Sequence, residues 1–100
     1  MTISISKQTW VFAVINKGDE DERLTGFQDK NGGVFIPVLK TNKEAEIFLD
    51  TIPWEPGRRY EVQSIIFEDV LKYARENGSL VYLVNKKGEI LEREIPEPIQ

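Results

Sequence analysis

Val34-Phe35-Ile36-Pro37-Val38-Leu39-Lys40-Thr41-Asn42-Lys43-Glu44-Ala45-Glu46-Ile47-Phe48-Leu49-Asp50-Thr51-Ile52-Pro53 contains one change of hydrophobic period, and that change decides the fold. Residues 34–39 form a short apolar run of β-formers, with Pro37 weakening the ladder or placing the strand at an edge. Thr41 to Glu44 then reads as a capping box, in which the Thr hydroxyl serves a first-turn N–H and Glu44 reaches back. Behind it, Ala45, Phe48, Leu49 and Ile52 fall on one helical stripe, and Pro53 stops the helix.

The same alternation of elements continues toward the carboxyl end. Tyr60-Glu61-Val62-Gln63-Ser64-Ile65 alternates like a half-buried strand. Phe67, Val70, Leu71 and Ala74 repeat the helical stripe, with Glu68 and Asp69 at the positive end and Lys72 and Arg75 nearer the negative end. Asn77-Gly78 is a left-handed stop. Leu80 to Val84 is a fully apolar strand, and Asn85-Lys86-Lys87-Gly88 turns it into a charged edge partner, residues 89–94. Toward the amino end, Asp29-Lys30-Asn31-Gly32-Gly33 is turn chemistry and residues 24–28 carry a weaker strand signal. Residues 19–23 form an exposed acidic loop, and Trp10 to Ile15 reads as a strand covered on both faces.

This order predicts an α+β fold: one small domain spanning residues 1–100, with a mixed five- to six-stranded sheet and two helices packed on it. Its ordered core is expected over about residues 8–94, with 95–100 as a tail. The chain has 100 residues, 40% of them hydrophobic, enough for a core without staples. It contains no Cys and no His, which removes disulfides, thiolate nucleophiles, Cys-ligated zinc and the usual general base together. The net charge of −4 opposes non-specific binding to polyphosphate. The first residues lack the basic and apolar regions of a cleaved signal, and no run approaches the ~18 apolar residues of a membrane span. A cytoplasmic location is therefore expected.

The stretch Phe35-Ile36-Pro37-Val38-Leu39 followed by Lys43-Glu44-Ala45-Glu46-Ile47-Phe48-Leu49 resembles the strand and "EA..F" helix of the SseB-like amino-terminal domain. Tyr82-Leu83-Val84-Asn85 is similar to that family's closing "VNP" strand, with Lys86 where proline would stand. The order of elements is also similar to a short cyanobacterial and plastid domain of unknown function. In that comparison Asn16 to Gly26 corresponds to its acidic loop and Thr25-Gly26-Phe27 replaces an "EGI" element. The resemblance spans roughly residues 10–94. It implies an α+β fold and no catalytic residues.

The acidic run Asp19-Glu20-Asp21-Glu22 lacks the alternating ligands, central glycine and distal glutamate of a calcium loop, and reads as a solvated turn. Gly26, Gly32 and Gly33 match no phosphate-binding spacing. The candidate site is Trp54-Glu55-Pro56-Gly57-Arg58-Arg59, where a Trp beside two Arg resembles a binding hot spot. Arg58 and Arg59 could fork onto a carboxylate or phosphate. The plainer reading is that Trp54 caps the end of the core while the arginines answer nearby acids.

The expected function is a non-enzymatic protein-interaction or regulatory module using Trp54, Arg58 and Arg59. It has an unidentified protein partner, with no cofactor, metal, nucleic acid or membrane involved. The alternative is a sensor for a small anion or metabolite at the same arginines, and a carboxylate-based enzyme ranks last.

Overall fold

In the computed structural model, which describes residues 5–53 and 55–94, the chain forms seven strands and two helices. They run β1 (Trp10–Lys17), β2 (Glu22–Leu24), β3 (Phe27–Gln28), β4 (Val34–Val38), α1 (Asn42–Leu49), β5 (Arg59–Ile66), α2 (Phe67–Asn77), β6 (Leu80–Val84) and β7 (Ile90–Glu94). The α+β class is as the sequence implies. The tail 95–100 lies outside the described residues.

The strands form two sheets, ordered β2-β1-β5 and β3-β4-β6-β7, where the sequence suggested one sheet of five to six strands. The difference arises at residues 24–28, expected to be a single strand. The Thr25 N–H still donates to the Val14 carbonyl at 2.9 Å, as an extension of β2 would. At Gly26 the chain leaves for the other sheet, where Phe27 pairs with Phe35. A Cβ at Gly26 would run into the Val34 side chain, so the corner requires the smallest residue. The sheets are joined farther along by Phe12 and Leu39, whose backbones exchange two hydrogen bonds of 2.9 Å.

Pro37 is not on an edge strand, because β4 lies between β3 and β6. Its position within β4 resolves the conflict. Leu39 directs its N–H toward β1, so Pro37, two residues earlier, points the same way. On that side β3 has already ended opposite Phe35, and the β1 bridge begins only at Leu39. The missing N–H falls in the gap.

Strand alternation divides the core between two faces. Val11, Ala13 and Ile15 of β1 join Ile36, Val38, Val81 and Leu83 beneath Phe67, Val70 and Ala74 of α2. Val14 joins Leu39, Tyr82 and Val84 beneath Ala45 and Phe48 of α1. The helices thus cover opposite faces. Leu49 and Leu71, both on the expected stripes, are only half-buried, and Ile52 is buried beyond the end of α1.

The helix ends are satisfied in different ways. Thr41 Oγ1 accepts the Glu44 N–H at 3.2 Å, and the Glu44 carboxylate meets the Thr41 hydroxyl. Ile66, at the start of α2, has no capping side chain. Instead the Phe67 and Glu68 N–H groups donate to the carbonyls of Thr9 and Lys7, at 2.8 and 2.9 Å. Gly78 closes α2 at φ 67, the left-handed conformation expected there.

Candidate functional site

The two arginines nominated from sequence play different parts. Arg58 forks onto the Asp21 carboxylate, with contacts of 3.2 and 3.3 Å, and its Nε donates a hydrogen bond to Asn16 Oδ1. A Cβ at Gly18 would collide with this pair, so the β1–β2 turn is shaped around it. The guanidinium holds the Asp21 carboxyl below its ordinary pKa, chiefly by hydrogen bonding. Arg58 therefore fastens the start of β5 to the turn after β1, which is the plainer of the two sequence readings. Arg59 is exposed and forms no ion pair among the described residues. Trp54 lies outside them.

Replacing Arg58 by Ala strands the buried Asn16 amide oxygen, so unfolding free energy should fall by about 1–3 kcal/mol. Arg59→Ala should stay within about 0.5 kcal/mol, as surface changes do. Chemical denaturation of the two single variants separates them. Equal losses would show that Arg58 is not structural.

The structure displays a different tryptophan. Trp10 is 57% exposed, against the expectation that residues 10–15 are covered on both faces. Cover stops at Val11 because Trp10 is the end residue of β1, opposite Ile66 where β5 gives way to α2. Four large apolar side chains are exposed among the described residues, Trp10, Val34, Ile47 and Leu91, and Trp10 is the largest and most exposed. Its backbone is held in place, with Thr9 and Lys7 bonded to the first turn of α2 on one side and the ladder to β5 on the other. No local sequence signal marks it, because the run it begins is uniformly apolar.

At the opposite end of β1 lies an open cleft of about 640 Å³, where β2 hands over to β3. Asn16, Arg23, Thr25 and Tyr60 come from one side of it and Tyr73, Asn77 and Ser79 from the region where α2 ends. The sequence-nominated loop borders it through Glu55, and Pro53 before the loop does so as well. Thr25 is only 9% exposed, and its hydroxyl is shut from solvent without a hydrogen-bond partner. A buried unpaired hydroxyl is destabilising, so Thr25→Val should raise unfolding free energy by about 1 kcal/mol. A fall of similar size in chemical denaturation would show that the hydroxyl is already satisfied in solution.

A second polar link sits on the four-stranded sheet. The Tyr82 hydroxyl donates to Asp29 Oδ2 at 2.9 Å, its ring stacks on Phe35 at 4.5 Å, and the Arg93 guanidinium lies 5.3 Å from the ring centre. Burial, then the Asp29 hydrogen bond, raises the Tyr82 pKa, while the same bond lowers that of Asp29. Glu61 is also lowered, first by its 2.7 Å pairing with Lys17.

The signs follow from linkage. Depressed carboxyls stabilise above about pH 4 and lose that contribution as pH falls through their folded values. Tyr82, raised, stabilises below about pH 10 and loses its contribution as pH rises through its folded value. Denaturation across pH should give a plateau falling at both ends; Lys17, raised by its pairing with Glu61, shares the alkaline fall, and Tyr82→Phe should reduce it. An alkaline fall unchanged in that variant would contradict the assignment.

No family model matches the chain, and neither does any curated protein or solved structure. Among the described residues no group of three His, Cys, Asp or Glu side chains converges, and no helix is long and apolar enough to cross a membrane.

Proposed function

We propose that the chain is a non-enzymatic interaction module that recognises a protein partner through the surface around Trp10. The observation that carries this reading is an indole with more than half its surface in water, on a backbone held by the β5 ladder and by the first turn of α2. Large aromatic side chains supply much of the energy of protein interfaces, and holding one in place beforehand reduces the entropy lost on binding. The originally nominated loop supports the reading less well, since Arg58 is engaged inside the fold. Arg59 and Trp10 also sit at opposite ends of the paired strands, about 23 Å apart by strand rise, so they do not form one hot spot. A cytoplasmic location is part of this proposal, and a chain without Cys is compatible with a reducing compartment.

The test compares partners captured from native cells by the intact chain, by Trp10→Ala and by Leu91→Ala, a control that removes another exposed apolar side chain. A partner retained by the intact chain and the control but lost with Trp10→Ala supports the reading. A partner retained equally by all three refutes it.

A further inference from the structure

The polar cleft lies at the far end of β1 from Trp10, and its chemistry is different in kind. It has about 640 Å³ of space, within the range of small-molecule sites. Its lining contains one cation, Arg23, and one anion, Glu55, neither in an ion pair among the described residues. Asn77, Gly78 and Ser79 bring the carboxyl end of α2 to the wall, where the helix presents its partial negative charge. Thr25 belongs to the same wall, but its hydroxyl is shut away from the open space.

A simple anion would gain from Arg23 but meet repulsion from Glu55 and from the α2 carbonyl end. A simple cation would have the reverse difficulty. A molecule with both charges matches both. We infer that the cleft binds a small zwitterion of the amino-acid type, its carboxylate toward Arg23 and its ammonium group toward Glu55 and the end of α2. Phe27, Ile52 and Tyr73, also in the lining, offer apolar surface for the side chain. This goes beyond partner recognition, since it gives the module a ligand of its own at a separate place.

The experiment uses the full chain without any partner, so its outcome is independent of the Trp10 reading. Thermal shift against the twenty standard L-amino acids selects the strongest, and calorimetry then compares it with its N-acetyl and its carboxamide derivatives. The free amino acid should bind saturably with a dissociation constant of about 1 mM or tighter. Each derivative should bind at least tenfold more weakly, because each removes one of the two charges. Arg23→Gln should weaken the free amino acid by at least tenfold yet leave the carboxamide derivative unchanged, while Arg59→Gln should change neither. The inference is overturned if no amino acid saturates, if the N-acetyl derivative binds as well as the parent, or if Arg23→Gln and Arg59→Gln act alike.

Discussion

Phe67→Ala is expected to lower the free energy of unfolding by about 3–5 kcal/mol, the largest effect of any single truncation considered for this chain. Phe67 is 1% exposed and is the largest of the fully buried side chains among the described residues. It opens α2 at the point where β5 ends, and it belongs to the same buried cluster as Val11, Ile36 and Val81. Both sheets contribute to that cluster, so a cavity there cannot close by moving one element. Its backbone N–H is bonded to the Thr9 carbonyl, which further restricts relaxation. Leu71→Ala, on the same helix but half-buried, should cost much less, about 1–2 kcal/mol. Equilibrium denaturation gives both values, and a Phe67→Ala loss below about 1 kcal/mol would show that the two sheets do not share this core.

The second large effect concerns binding. Trp10→Ala should weaken capture of the protein partner by about 30-fold or more, corresponding to at least about 2 kcal/mol for a hot-spot aromatic. Stability should change little, within about 1 kcal/mol, because the indole is mostly in water already. The contrast between the two readouts is the point. A side chain serving only the fold would lose stability and binding together, whereas a recognition residue loses binding alone. Titration of the purified partner against both proteins, with denaturation run in parallel, measures the two losses separately.

The elements of this fold are legible wherever a local period suffices. Ala45 and Phe48, and Phe67, Val70 and Ala74, repeat at helical spacing and are buried as that spacing requires. Gly78 ends its helix in the left-handed conformation that Asn-Gly signals. The division into two sheets is not legible. It depends on Gly26 passing close to Val34, and on a strand signal that splits between two hairpin partners, Leu24 pairing back with Ile15 and Phe27 forward with Phe35. Pro37 misleads for a related reason, since its tolerance depends on where β3 happens to end.

The site residues divide along the same physical line. Paired basic residues are visible in a sequence, but the acid that occupies one of them is not. Asp21 reaches Arg58 across 37 positions, and only the fold makes them neighbours. Trp10 begins an apolar run, and nothing in that run says which of its residues the helices leave uncovered. The cleft gathers Arg23 and Thr25, Glu55, and Tyr73 and Asn77 from three separate parts of the chain. No spacing rule could have brought them together.

Site-specific photo-crosslinking tests the central claim most directly. A photoreactive phenylalanine analogue replaces Trp10 in one protein and Leu91 in another, each is irradiated in native cells, and the crosslinked peptides are sequenced. The account predicts peptides from one defined protein attached at position 10 and absent at position 91. Crosslinks to that protein from position 91 but not from position 10, or none at position 10 at all, would contradict it.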